Sequence, residues 1–243
     1  MHNEQQKGKR NMSQNVLVVH GGGPTAVINA SLYGVIEEAK RNPEVGKVYG
    51  AIGGTGAIFS ETFIDLTSFN DEKLKLLLHT PASAIGSSRY PLYEKDYEKM
   101  VDIFKKHDIK YVLLNGGNGT MDACGHIYEV CKDQDIKVVG IPKTIDNDIA
   151  MTDHSPGYGS AARFIAASTQ EVGEDVKSLP IHVCIMEAMG RNAGWITAAS
   201  ALARRKQGDA PHLIYLPERN FNEDEFLEDV SKLQKKQGGV VVL

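Results

Sequence analysis

Four short segments of this chain gather the residue types that do chemistry: glycines, paired acids beside a lysine and a hydroxyl, and an arginine. The sharpest is Gly140-Ile141-Pro142-Lys143-Thr144-Ile145-Asp146-Asn147-Asp148. Two carboxylates one residue apart, next to an ammonium and a hydroxyl, cannot all be satisfied inside an apolar core. One carboxylate can take a proton from an attacking hydroxyl while the other holds a metal or orients the first. Asp-Asn-Asp alone would be an ordinary solvated turn. That reading does not account for Pro142-Lys143-Thr144 following directly from an apolar run.

Two further segments are rich in glycine. In Val19-His20-Gly21-Gly22-Gly23-Pro24-Thr25-Ala26 and in Asn115-Gly116-Gly117-Asn118-Gly119-Thr120, a β-branched or apolar run meets a helical pattern. Glycines there let backbone N–H groups approach an anion, and the helix dipole adds favourable potential. A tight structural turn is the alternative. The first segment also passes for a dinucleotide fingerprint, but no acidic residue closes the next strand, where Gly53-Gly54 stands instead. Two such turns favour a polyphosphate over a single phosphate, and Thr120 reads as a helix cap. The fourth segment is Glu187-Ala188-Met189-Gly190-Arg191-Asn192. An arginine at a helix start opposes the dipole unless an anion lies opposite, and its forked donors match phosphate. Arg89, in Ser87-Ser88-Arg89, reads equally as site or surface. His20 and His126 read as packing or surface residues, and the eight histidines form no metal-ligand spacing.

The elements that must position these residues alternate. Near-continuously apolar runs at 15–20, 47–52, 111–115, 137–141, 182–187, 212–216 and 240–243 predict buried parallel strands. Helical patterns lie between them at 24–41, 71–79, 93–107, 121–133, 161–178, 192–205 and 222–237. The expected fold class is α/β: doubly wound, mostly parallel sheets in two Rossmann-like lobes, with the active site in the cleft between them. In such sheets ligands sit beyond the carboxyl ends of strands, where all four segments fall. The expected organisation is a disordered leader over 1–14, one lobe over 15–148 and a second over 149–243. The closing Gly238-Gly239-Val240-Val241-Val242-Leu243 reads as a strand with nothing after it, as expected of part of a longer protein.

Composition narrows the function classes. The chain has 243 residues, 42% hydrophobic and 24% charged, which fits a globular domain large enough for a substantial core. A net charge of −4 argues against a basic nucleic-acid surface. No apolar run approaches the roughly 18 residues of a membrane helix. The polar N-terminal stretch is not a secretory signal. Three cysteines without metal or disulfide spacing read as reduced, buried thiols. We therefore expect a cytoplasmic protein with neither nucleic-acid nor membrane partners.

At these segments the chain resembles the 6-phosphofructokinase family, whose members use ATP or pyrophosphate. The resemblance is carried by Gly21-Gly22-Gly23-Pro24-Thr25 with Asn29-Ala30, Ser87-Ser88-Arg89, Gly116–Thr120, Pro142–Asp148 and Met189-Gly190-Arg191, in family order across nearly the whole chain. It implies phosphoryl transfer to the 1-hydroxyl of fructose 6-phosphate, giving fructose 1,6-bisphosphate in glycolysis. By resemblance Asp146 is the general base, and Thr144 bonds the phosphoryl in flight. Arg89 and Lys143 neutralise charge that grows during transfer. Gly22, Gly117, Asn118, Gly119 and Thr120 hold the donor. Met189, Gly190 and Arg191, with Thr144 and Asp146, bind the sugar phosphate. His182 stands where many members have an arginine that reaches a neighbouring subunit's substrate, in a homodimer or homotetramer. The cofactor implied is Mg2+ on Asn118 and Asp148, although family members usually carry an aspartate where Asn118 stands. Members also continue past the final strand with a Glu-Gly turn and further basic residues.

The resemblance divides on the donor. Lys143 matches pyrophosphate-dependent members, which carry lysine where ATP-dependent members carry glycine. Gly119 points to ATP, because pyrophosphate-dependent members often place an aspartate there. Weighting Lys143, the expected function is a pyrophosphate-dependent phosphofructokinase. The alternatives are an ATP-dependent enzyme and a non-catalytic, phosphate-effector-binding subunit. A lipid or NAD kinase leaves Pro142–Asp148 and Met189–Arg191 unexplained.

Overall fold

The computed structural model describes residues 14–243. The leader expected over 1–14 lies, but for Gln14, outside the described residues. The chain forms two compact units, the first ending at Lys143 and the second spanning Thr144–Leu243.

The first unit is built on a five-stranded sheet. Its elements are β1 (Gln14–His20), α1 (Ala26–Arg41), β2 (Val45–Ala51), α2 (Gly56–Phe59), β3 (Phe63–Asp65), α3 (Asp71–Lys75), α4 (Glu94–Lys106), β4 (Ile109–Gly116), α5 (Asn118–Cys131) and β5 (Lys137–Pro142). Strand order is β3-β2-β1-β4-β5. Every pairing is parallel except β2 with β3, which is antiparallel. The central run of β1 is continuously apolar because both its faces are covered. Leu17 and Val19 share one core with Met100, Phe104 and Ile127 of α4 and α5. Val16 and Val18 face the other, with Leu32 and Ile36 of α1. The short β3 escaped the sequence reading because its three half-buried residues form no apolar run.

Strand order carries a functional consequence. From β1 the chain winds outward to β2 and β3, then returns to place β4 on the opposite side of β1. The carboxyl ends of β1 and β4 therefore flank the point where winding reverses, the usual ligand crevice of an open α/β sheet. His20-Gly21 and Asn115-Gly116 occupy those ends.

The second unit comprises α6 (Tyr158–Ser178), β6 (Val183–Ile185), α7 (Trp195–Ala199), α8 (Glu223–Gln237) and β7 (Val240–Val242). β6 and β7 pair in parallel. Ile165, Val176, Ile196, Val241 and Leu243 belong to its core. The strand expected over 212–216 does not form as a continuous ladder. Leu213 alone bridges Val242, and the Val241 amide donates to His212 Nδ1 at 2.8 Å. An imidazole has taken a bond that a regular ladder would give to a carbonyl. The helix expected over 192–205 is also shorter. A turn precedes α7, and Ser200–Ala203 tightens into a 3₁₀ turn. Among the described residues, no helix is long and apolar enough to cross a membrane.

Candidate functional site

The glycine turns after β1 and β4 lie against each other. The Gly21 amide donates to Asn115 O at 3.0 Å. A methyl group on Gly116 would stand 2.6 Å from Gly21 O and would collide with the Thr120 side chain; one on Gly21 would strike the Thr120 hydroxyl. Only glycine lets two backbones and a threonine share this space. Thr120 is therefore packing between the turns. It is not the helix cap expected from its position, since α5 begins earlier, with Gly117 as its N-cap. Asn118 and Gly119 open that helix at the exposed surface, and no atom lies within 4 Å of the place where a Gly119 Cβ would stand. Neither α1 nor α5 carries an acidic residue in its first turn. Both positive helix ends thus lie at the ends of β1 and β4 with no acid in their own first turns, an arrangement that favours anions.

A third strand of chain is stitched to these turns. The Gly22 amide donates to Ser88 O at 3.0 Å, and Ser87 Oγ donates to Gly22 O at 2.7 Å. Ser88 Oγ accepts from the Thr55 amide at 3.1 Å. Upstream, fully buried Asn29 donates to Thr80 O and Ala82 O at 2.8 and 2.9 Å and accepts from the Ala84 amide at 2.8 Å. These bonds hold the Ser87–Ser88 segment, and Arg89, the next residue, is exposed.

Lys143 closes the first unit. Its amide donates to Gly116 O at 2.9 Å, and its side chain is 5% exposed. The same unit holds a residue that sequence reasoning set aside. His20 is fully buried at the end of β1, with Nδ1 2.8 Å from Ser83 Oγ. Burial, with the Lys143 charge second, lowers its pKa from 6.5 to about 4. A polar residue ending an otherwise apolar strand, one step before a glycine turn, was the available signal.

In the second unit the acidic loop is tied down residue by residue. The Thr144 amide donates to Pro156 O at 3.2 Å, and Thr144 bridges Gly157, the N-cap of α6. The Asp146 amide donates to Thr144 Oγ1 at 3.0 Å. Asn147 is buried in the left-handed region at φ 56°, and its amide group bonds residues 153 and 155. Asp146 is half-buried and Asp148 exposed. The N-terminus of the 21-residue α6, again without acids in its first turn, adjoins this loop and favours anionic groups there.

Met189 and Arg191 are exposed, with Gly190 buried between them. The dipole argument for Arg191 does not hold: the residue sits three positions ahead of Gly194, the N-cap of α7. It occupies a turn closed by the Ala193 amide on Gly190 O at 2.9 Å, at φ 56°. Non-glycine residues held in this region cluster at ligand sites. Gly190 itself has φ 138°, and a methyl there would collide with Ala193 O. His182 is exposed just before β6.

For a metal, Asn118 offers an amide oxygen and Asp148 a carboxylate, both at the surface. Hard oxygen donors of this kind suit magnesium, which takes few protein ligands and fills its octahedron with water and phosphate oxygens. Among the described residues, no group of three or more His, Cys, Asp and Glu gathers to hold a metal ion.

The family described as Phosphofructokinase matches residues 15–243. The chain is 40% identical over 240 residues to the pyrophosphate–fructose 6-phosphate 1-phosphotransferase of Halomonas elongata, covering 94% of this chain and 57% of that protein. It is 43% identical over 229 residues to the protein of the same name from Rhodospirillum rubrum, covering 93% and 56%. The solved pyrophosphate-dependent phosphofructokinase of Marinobacter aquaeolei superposes with a TM-score of 0.86 at 40% identity, covering 94% of this chain and 59% of that one. The chain thus spans somewhat over half the length of the relatives it matches.

Proposed function

The chain belongs to the phosphofructokinase family, and from that premise we propose that its protein transfers a phosphoryl group from pyrophosphate to the 1-hydroxyl of fructose 6-phosphate. The observation that carries the choice of donor is the placement of Lys143. Its side chain is buried, and its amide is anchored on Gly116 at the turn that opens α5. An ammonium held there neutralises a leaving phosphate that, unlike ADP, has no nucleoside to bind. The names of the relatives at 40–43% identity support the same donor.

The residues take these roles. The glycine turns after β1 and β4, through Gly22 and the Gly117–Thr120 segment, let the donor phosphates approach two helix N-termini closely. The Asp146 carboxylate accepts the proton of the sugar 1-hydroxyl as that oxygen attacks. Thr144 Oγ1, which already accepts from the Asp146 amide, donates its own hydrogen to the phosphoryl in flight. Arg89 answers the charge growing on that group, the largest contribution in this chemistry. Met189, Gly190 and Arg191 seat the acceptor, with the guanidinium on its 6-phosphate. His182 serves a neighbouring subunit's acceptor in a homodimer or homotetramer. Asp148 and Asn118 would hold a magnesium ion, which supplies charge neutralisation on the phosphates. Free thiols at Cys124, Cys131 and Cys184 support a reading in which the protein works in a reducing compartment, the cytoplasm.

A coupled assay with fructose 6-phosphate, offering pyrophosphate and ATP separately, tests the proposal. Product should form with pyrophosphate, and Lys143→Gly should cost pyrophosphate-driven turnover far more than ATP-driven turnover. Turnover with ATP alone would overturn the donor assignment.

A further inference from the structure

The turn that carries Gly190 and Arg191 holds two successive residues at positive φ, 138° and 56°. The Ala193 amide closes it on Gly190 O. Backbone strained in this way persists only where its surroundings over-determine it. The exit of the turn, at Gly194, is where those surroundings act.

Glu218 Oε1 accepts the Gly194 amide at 2.7 Å, across 24 residues of sequence. The Leu216-Pro217-Glu218 segment approaches so closely that a methyl on Gly194 would stand 2.6 Å from Glu218 Oε2. The same methyl would lie 3.0 Å from both Leu216 Cδ2 and Pro217 Cδ. Gly194 has φ −83°, which any residue adopts, so the close approach and not backbone freedom calls for glycine here. The segment that bears Glu218 is tied in turn to the end of β7. The Tyr215 amide donates to Leu243 O at 2.6 Å, and the Leu243 amide donates to Leu213 O at 3.1 Å. One residue past Gly194, Trp195 O accepts from the Tyr158 hydroxyl at 3.1 Å, which ties the same exit to the first residue of α6.

Glu218 is exposed, and an exposed carboxylate contributes little to stability through its charge. What its bond to a backbone amide supplies is direction, since a charge-assisted bond is short and geometrically specific. We propose that Glu218 is a positioning residue for the acceptor turn: by holding the Gly194 amide it fixes the path of Gly190 and Arg191, and with it the place where the guanidinium meets a sugar phosphate.

The functional weight of this contact rests on the reading that the turn seats fructose 6-phosphate, and the measurements separate the two. In ¹⁵N-labelled full-length protein, Glu218→Leu should move the Gly194 amide proton upfield, as expected when it loses a charged acceptor. Glu218→Gln keeps an acceptor oxygen and should move it much less. In the pyrophosphate-driven assay, Glu218→Leu should raise KM for fructose 6-phosphate about tenfold, the scale of one hydrogen bond to a charged group. The KM for pyrophosphate should hardly change, and Glu218→Gln should restore most of the loss. Gly194→Ala displaces the carboxylate with its methyl and should give the same defect, which adding Glu218→Leu does not deepen. A Gly194 amide indifferent to Glu218→Leu, a rise in both KM values, or Glu218→Gln as impaired as Glu218→Leu would overturn the proposal. If fructose 6-phosphate is not the acceptor, the reading of the turn fails, while the Gly194 resonance still decides whether Glu218 holds it.

Discussion

Asn147 Oδ1 accepts the backbone N–H of Ser155 at 2.7 Å, while Asn147 Nδ2 donates to Asp153 O at 3.3 Å. The residue between the two candidate carboxylates is thereby anchored eight positions downstream, at a φ of 56° that asparagine tolerates better than most side chains. Asn147→Ala removes both bonds and keeps the strained backbone. It should cost about 1–3 kcal/mol of stability, read by urea unfolding, and should lower turnover by misplacing Asp146. Asn147→Gly relieves the backbone strain but not the loss of bonds, so it should be the more stable of the two variants and still a poor catalyst. Equal turnover in Asn147→Ala and wild type would show that this anchor does not position the base.

Asp146 itself is tested by removing its basicity. Asp146→Ser should lower turnover by about 10² or more, the usual scale for a general base, with fructose 6-phosphate binding retained. Isothermal titration alongside the kinetic assay distinguishes the base from a ligand for the sugar. Near-normal turnover would remove Asp146 from the chemistry.

His20 makes stability depend on pH. Its folded pKa of about 4 lies below the unfolded 6.5, so between those values the unfolded chain binds a proton that the folded chain refuses. Stability contributed by the neutral ring is fully present above pH 6.5 and is lost as pH falls toward 4. The interval corresponds to roughly 3 kcal/mol. Urea midpoints of wild type should fall between pH 7 and pH 4.5 by more than those of His20→Gln, which has no proton to take up. Parallel curves for the two proteins would refute a buried neutral histidine.

How much of this was legible in the sequence depended on whether a residue's role was local. The β1 and β4 runs could be read from composition, because burial on both faces demands continuous apolar sequence. The glycine turns could be read because close backbone approach excludes a Cβ. Thr120 was misread as a cap, since its packing against Gly21 is a contact across nearly a hundred residues of sequence. Arg191 was placed at a helix start because the helical pattern was read from residue 192, and the turn closed on Gly190 leaves no periodic trace. The links from Asn29 to the 80–84 segment and from His20 to Ser83 lie between distant residues of ordinary type. Only the fold brings them together.

Gly119 is where the donor question can be decided by a single substitution. It opens the first turn of α5 at the surface, with open space where its Cβ would lie. An aspartate there meets no steric obstacle and adds a negative charge at a helix N-terminus that has none, a favourable placement of about 0.3–1 kcal/mol. Gly119→Asp should therefore fold at least as stably as wild type, which thermal unfolding will show. Toward nucleotides the new carboxylate crowds and repels the α-phosphate, a group that pyrophosphate lacks. ATP-driven turnover should fall by about tenfold or more, the consequence of a repulsion near 1.4 kcal/mol, while pyrophosphate-driven turnover changes little. If both donors lose activity equally in a protein of undiminished stability, the α-phosphate does not pass beside Gly119, and the steric basis for reading this position as ATP-permissive is wrong.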